Sequence, residues 1–237
     1  MTPEVEATAV IAAAGSGVRL GAGGPKALVE VAGRPLVEWS LEAFEAARSV
    51  ANAVVAAPPQ LVDDFEMALL GGASVRTNEF GVRVVAGGES RSESVAAAVA
   101  VLEAEVAVVH DAARPLVTAE LIDAVVAELA ADPGCDCVLA ATPVVDTVKD
   151  VAGREVERTI DRSRLWAAQT PQAFRADALR RALAAAQSLA DATDDAMLVE
   201  RMGGRVRVLE APRENLKVTA PVDLRIAELL LGDRAGG

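Results

Sequence analysis

A chain of 237 residues, 52% hydrophobic and 24% charged, has ample material for a packed core, which excludes general disorder. A formal net charge of −12 excludes binding nucleic acid or an anionic membrane through the bulk of the surface, so an anionic ligand needs a local cluster of cations. Four Phe, two Trp and no Tyr leave the core to Ala, Val and Leu.

The apolar pattern alternates between strand-like and helix-like segments. Residues 7–14 form a β-like run that ends in a glycine loop, and 35–48 reads as a helix with Leu36, Trp39, Leu41 and Phe44 facing inward. Short buried strands follow at 53–57 and 82–86, then a helix over about 92–103 and a strand at 106–109 entering His110–Pro115. Residues 121–131 read as a helix and 138–141 as a strand. Short apolar strands spaced by amphipathic helices predict an α/β, doubly wound, mainly parallel sheet (Rossmann-like), with its ligand outside the carboxyl ends of the strands.

The alternation breaks between about 143 and 170. There 147–151, Gly153-Arg154 and 156–160 predict a β-hairpin arm built on a turn. A projecting arm has little of its own chain to bury against, so a partner subunit is its natural cover and a homodimer is expected. Helices at 176–190 and 194–202, a strand at 206–210 and a helix at 222–231 close what reads as one domain over 1–237.

No run of about 18 uncharged apolar residues is available to span a membrane. The acidic N-terminus MTPEVEA lacks the basic region of a secretory signal. The only cysteines, Cys135 and Cys137, match neither a zinc set nor a C-x-x-C redox pair; on a strand they share one face, in the core. These features fit a cytoplasmic protein.

Five segments carry chemistry. Ala12-Ala13-Ala14-Gly15-Ser16-Gly17-Val18-Arg19, continuing to Gly23-Gly24-Pro25-Lys26, runs from a strand into small residues whose backbone N–H groups can cradle phosphate, with Arg19 and Lys26 beside them. Leu20 breaks G-x-G-x-x-G, and the neighbours of Lys26 break the P-loop pattern, so a dinucleotide fold is disfavoured. Gly87-Gly88-Glu89-Ser90-Arg91-Ser92-Glu93-Ser94 opens a helix with hydroxyls suited to a base or ribose, or simply to N-capping by Ser92. His110-Asp111-Ala112-Ala113-Arg114-Pro115 follows a strand directly; Asp111 suits a substrate hydroxyl or a metal, Arg114 a phosphate, and His110 a role in orienting the loop. Thr159-Ile160-Asp161-Arg162…Gln169-Thr170-Pro171-Gln172 and Asn215-Leu216-Lys217-Val218-Thr219 each add one cation in a turn-like setting. Only three of the 23 basic residues are lysines (Lys26, Lys149 and Lys217), which draws attention to the two inside these segments.

Taken in order, A-A-A-G-S-G-x-R-x6-K, G-G-E-S-R-x-x-S-V, H-D-A-A-R-P, D-T-V-K, D-R-x-x-L-W, T-P-Q-x-F and N-L-K-V-T resemble the 2-C-methyl-D-erythritol 4-phosphate cytidylyltransferases of the non-mevalonate isoprenoid pathway, from about residue 9 to 231. The resemblance implies a reaction of CTP with methylerythritol phosphate that gives the cytidine diphosphate conjugate and pyrophosphate, with Mg²⁺ held mainly by phosphates. It implies that Arg19 and Lys26 stabilise the transition state and that Arg162 and Lys217 position the substrate phosphate. It also implies that Ala13, Ala14, Gly15, Gly88, Arg91 and Ser94 serve the nucleotide, and that Asp111, Arg114, Thr147 and Thr170 contact the methylerythritol phosphate. The arm would reach the neighbouring subunit's site. Glu89 and Glu93 stand where Asp is usual, a change that bears on base contacts. The nearest alternative, ribitol 5-phosphate cytidylyltransferase, shares the loop and cations but commonly has H-D-S-V-R-P where this chain has Ala112-Ala113. A sugar-phosphate nucleotidyltransferase using another base and a non-catalytic nucleotide-binding module are the others.

Overall fold

The computed structural model describes residues 6–15, 17, 20, 24–70, 80–186, 188–189 and 192–235. In chain order they form β1 (Ala7–Ala12), a two-stranded ribbon of β2 (Glu30–Val31) and β3 (Arg34–Pro35), α1 (Leu36–Ala46), β4 (Val50–Ala57), α2 (Val62–Leu70), β5 (Gly81–Ala86), α3 (Arg91–Val99), β6 (Val106–Asp111) and α4 (Ala119–Ala131). There follow β7 (Cys137–Pro143), the hairpin β8 (Lys149–Ala152) and β9 (Glu155–Thr159), β10 (Trp166–Arg175), α5 (Ala176–Ala185), α6 (Asp195–Arg201), β11 (Val206–Glu210) and α7 (Pro221–Ala235). Seven strands make one sheet in the order β11-β7-β10-β6-β1-β4-β5. All neighbours are parallel except β10, which is antiparallel to both β6 and β7.

Both faces of this sheet are covered. Alternate residues of β1 point to opposite sides, so Ala9 and Ile11 join α1, α2 and α4 in one core cluster, while Val10 joins α3, α5 and α6 in another. Phe44, Phe65 and Phe174 are fully buried, each such side chain contributing roughly 1.5–3 kcal/mol. A third, smaller cluster sets α7 against the start of α1.

Several sequence expectations change here. α2 is an addition to the expected elements, although Val62, Phe65 and Leu69 keep helical spacing and Asp63 and Asp64 occupy its first turn. α5 ends at Ala185 rather than 190. Of the four inward positions expected in α1, Leu36, Leu41 and Phe44 are fully buried, but Trp39 is half-buried against the third cluster, where its Nε1–H donates to the Val31 carbonyl (3.0 Å) and Arg34 stacks on its ring. Cys135 and Cys137 are both buried but serve opposite faces of the sheet, because the chain is still turning at Cys135 and β7 starts only at Cys137.

The expected hairpin is present, turning at Gly153 (φ +62°), with both strands largely exposed. The arm does not extend to 170, however. From Trp166 the chain re-enters the sheet as β10, an interior strand between β7 and β6. Pro171 has no N–H for a ladder and argues against a central strand, but the pairing of β10 with β7 is interrupted between Ala168 and Gln172, and that irregularity accommodates it. Among the described residues, no helix is long and apolar enough to cross a membrane.

Candidate functional site

The carboxyl ends of β1 and β6 open onto a cavity of about 410 Å³. Its β1 side is the small-residue loop. Ala13 N–H donates to the Ala56 carbonyl (3.0 Å), and beyond it Ala14 and Gly15 face the cavity. The loop is held against the segment that follows: Lys26 N–H donates to the Gly15 carbonyl (3.0 Å), and Gly17, at φ +67°, lies so close to Gly24 that a Cβ would meet its carbonyl oxygen at 2.9 Å. Lys26 thereby begins a single 3-10 turn with its half-buried side chain lining the cavity. Arg19 and Ser16 lie outside the described residues.

The opposite wall is the entry to α3. A Cβ on Gly88 would meet the Glu93 Cβ at 2.3 Å, so the loop passes its own helix as only glycine permits. The helix is capped by Ser90, not Ser92: Ser90 Oγ accepts from Glu93 N–H (3.2 Å) and the Glu93 carboxylate accepts from Ser90 N–H (3.0 Å). Glu93, expected to bear on base contacts, is thus half of a capping box. Ser94 Oγ accepts from Gly88 N–H (3.1 Å) and donates to the Ser90 carbonyl (2.9 Å), so it shapes the loop as well as lining the cavity.

At the end of β6, Asp111 is buried with both carboxylate oxygens engaged. Arg91 Nε donates to Oδ1 and Lys217 Nζ to Oδ2, each at 2.7 Å. Burial alone would raise the Asp111 pKa, but Arg91 and Lys217 hold it well below the usual carboxylate range. Arg91 also donates through Nη1 to Asp195 Oδ2 (2.5 Å). Burial works against its charge, and the two carboxylates overcome that and keep it firmly protonated. Arg114 is buried, and its guanidinium donates to the Asn215 carbonyl (2.8 Å).

A second cavity of about 250 Å³ adjoins the first and shares Arg91, Asp111 and Lys217 with it. Arg114, Thr170, Gln172 and Asp194 supply much of its remaining wall. Thr170 is part of this chain's own site: its hydroxyl accepts from Asp111 N–H (3.1 Å) and donates to His110 Nδ1 (3.0 Å), and His110 Nε2–H donates to the Arg114 carbonyl (3.2 Å). The single histidine therefore orders the loop, as expected. Of the predicted residues, Ala13, Ala14, Gly15, Lys26, Gly88, Arg91, Ser94, Asp111, Arg114, Thr170 and Lys217 converge on the two cavities. Thr147 and Arg162 are exposed and line neither. Sequence reasoning assigns no role to Asp194, Asp195 or Gln172; two successive aspartates ahead of an apolar helix signal only its start.

His110 is fully buried, and burial lowers its pKa from 6.5 to about 3, with Asp111 opposing and Arg114 adding to the shift. The unfolded chain takes up this proton near 6.5 and the native state does not, so stability falls as pH drops from about 6.5 towards 3. The slope is on the order of 1.4 kcal/mol per pH unit once the unfolded chain is protonated. Urea unfolding between pH 6 and 5 is expected to show that slope in the wild type and to lose it in His110→Gln, which keeps an N–H for the Arg114 carbonyl. Equal slopes in the two proteins would mean that His110 titrates normally.

A doubly wound sheet with a glycine loop at its switch region and Lys26, Arg91, Arg114 and Lys217 around a cleft at the strand ends defines a nucleotide-binding α/β protein built for anionic ligands. The chain belongs to the 2-C-methyl-D-erythritol 4-phosphate cytidylyltransferase family, whose sequence model matches residues 7–233. It is 46% identical over 230 residues to the 2-C-methyl-D-erythritol 4-phosphate cytidylyltransferase of Saccharopolyspora erythraea, covering 94% of this chain and 98% of that protein. The crystal structure of the enzyme of that name from Thermus thermophilus superposes with a TM-score of 0.74 at 33% identity, over 94% of this chain and 98% of that one. The 4-diphosphocytidyl-2C-methyl-D-erythritol synthase of Anaerococcus prevotii superposes with a TM-score of 0.80 at 25% identity, over 97% and 99%.

Proposed function

We propose that this chain transfers the cytidylyl group of CTP to 2-C-methyl-D-erythritol 4-phosphate, giving 4-diphosphocytidyl-2-C-methyl-D-erythritol and pyrophosphate. The observation that carries the reading is the pair of adjoining cavities with Arg91, Asp111 and Lys217 in common. The larger, walled by the small-residue loop, suits a nucleoside triphosphate. The smaller, lined by Arg114, Thr170 and side-chain amides, suits a phosphorylated polyol.

A phosphate oxygen of the acceptor attacks the α-phosphorus of CTP, the bond from that phosphorus to the β-phosphate bridge breaks, and pyrophosphate leaves. The attacking group is already an anion, so no general base is required, and positioning with charge stabilisation is the whole task. In this reading Lys26, with Arg19, meets the charge that develops on the triphosphate. Lys217 and Arg162 hold the acceptor phosphate. Ala13, Ala14, Gly15, Gly88, Arg91 and Ser94 form the nucleotide wall, and Asp111, Arg114, Thr147 and Thr170 the acceptor wall.

Mg²⁺ fits as a companion of the triphosphate rather than as a resident of the protein. Among the described residues no group of three or more His, Cys, Asp or Glu is placed to hold a metal, and the carboxylates of the larger cavity are Asp111, already engaged by two cations, and Glu89. Hard phosphate oxygens would be its main ligands, and Asp111 and Glu89 are the carboxylates of that cavity that could add to them. Bound there, it would neutralise phosphate charge and orient the triphosphate.

We infer further that the chain acts as a homodimer in the cytoplasm. Thr147 and Arg162 stand exposed on and beside the arm, away from the cavities of their own chain, and the arm carries exposed Val151 and Val156. Both facts favour an arm seated on a second subunit, bringing these residues to its site.

The test is pyrophosphate release with CTP and Mg²⁺ in the presence of methylerythritol 4-phosphate, ribitol 5-phosphate or no acceptor. Release with methylerythritol phosphate alone is expected. Release with ribitol phosphate alone would overturn the acceptor assignment while leaving the mechanism in place.

A further inference from the structure

Asp195 is the first residue of α6, fully buried, with Ala196, Leu198 and Val199 of the same helix packed in the second core cluster. Its hydrogen bonding runs through Arg91: Oδ2 accepts from Nη1 at 2.5 Å, and Oδ1 is buried with no partner among the described residues. A carboxylate buried in this way gains little stability over an apolar side chain of its size, because desolvation offsets the attraction of the pair. Its effect is to fix Arg91. That guanidinium spans two carboxylates, Nε on Asp111 and Nη1 on Asp195, and lies in the wall that both cavities share.

We propose that Asp195 is a positioning residue for the transfer reaction: by anchoring Arg91 it keeps Asp111 paired where the two phosphates meet, and it keeps the guanidinium from being drawn onto the triphosphate. The inference rests on the function proposed above. Arg91, Lys217 and Asp111 of the shared wall and Asp195 buried behind it form one ion-pair network whose four charges sum to zero. Asp111 is the awkward member, an anion at the junction of two anionic ligands, and it is tolerable there only while Arg91 and Lys217 both face it. A triphosphate entering the larger cavity competes for any guanidinium within reach. Tethered at one end only, Arg91 turns towards it, Asp111 loses a partner and binds Lys217 more tightly, and Lys217 is withdrawn from the acceptor phosphate. Loss of Asp195 therefore harms acceptor use and spares, or strengthens, the hold on CTP.

The experiment is steady-state pyrophosphate release by the full-length protein with Mg²⁺, varying CTP and methylerythritol 4-phosphate in turn, for the wild type, Asp195→Asn, Arg91→Lys and the double variant. Wild-type turnover tests the proposed function by itself, and silence there overturns that reading first. With the wild type active, Asp195→Asn is expected to lower kcat/KM for the acceptor roughly tenfold or more while the KM for CTP stays within about twofold or falls. Arg91→Lys keeps the charge but cannot bridge two carboxylates, so it should give the same split, and the double variant should be no worse than the worse single. Arg91→Lys also carries the test should Asp195→Asn fold poorly. Equal losses towards both substrates, additive losses in the double variant, or a lowered Tm with unchanged kinetics would overturn the proposal.

Discussion

Replacing Lys26 by Ala is expected to lower turnover by about 10²–10³-fold, roughly 3 kcal/mol of transition-state stabilisation, while leaving the fold intact. The expectation rests on how the backbone delivers this side chain. The Lys26 N–H is tied to the Gly15 carbonyl, Gly17 packs against Gly24 and Lys26 in a conformation that only glycine adopts at ease, and the turn that follows buries Ala27. The side chain is thus delivered to the same cavity that the small residues Ala14, Gly15 and Gly17 line, which is where the proposed triphosphate would lie. A group fixed there before the substrate arrives needs no reorganisation as charge builds on the phosphates, which is why one such contact is worth far more than a surface ion pair. Because Lys26 is only half-buried, its truncation should shift stability by no more than about 0.5 kcal/mol. Turnover measured at saturating CTP and acceptor, alongside thermal unfolding, separates the two effects. Unchanged turnover would remove Lys26 from the mechanism. Lys26→Arg is expected to recover little, since a planar fork does not reproduce a compact ammonium held at one point.

What could be read in the sequence follows from whether an interaction leaves a local trace. The parallel strands β1, β4, β5 and β6 are legible because strands covered on both faces appear as short apolar runs, and the site segments at their ends are legible because glycine and isolated cations after such runs are phosphate chemistry. β10 is hidden by Pro171, which rules out a regular central strand but not one whose ladder is interrupted there. The burial of Thr170, and its place in the chain from Asp111 N–H to His110, depend on that irregularity and cannot be foreseen without it. The opposite fates of Cys135 and Cys137 turn on where β7 starts, a boundary of two residues. Asp195 is the clearest loss. Its partner Arg91 lies 104 residues away, and nothing within its own segment distinguishes an anchor for an arginine from an ordinary acidic helix start.

Mixing two inactive variants is expected to restore activity, and this is the strongest test of the arm. Arg162 begins a short 3-10 turn, Arg162–Arg164, capped by Asp161, just before the chain returns to the sheet, and its side chain lines neither cavity of its own chain. If it serves a second subunit, Arg162→Ala should impair use of the phosphorylated acceptor more than binding of CTP, with a loss of similar order to that for Lys26. The two losses then belong to different halves of each composite site. In a heterodimer of Lys26→Ala with Arg162→Ala, one site receives both defects, while the other pairs an intact Lys26 body with an intact Arg162 arm. Random exchange of subunits at equal amounts makes half the dimers mixed, each with one sound site, so recovery should reach about a quarter of wild-type turnover from parents that are each nearly silent, as symmetric pairing requires. The mixture is assayed after reversible dissociation, with the separate variants treated identically. Activity no greater than the average of the parents would place Arg162 and Lys26 in the same subunit's site, and the arm would have to fold back on its own chain. Recovery near a quarter would fix both the stoichiometry and the direction in which the arm reaches.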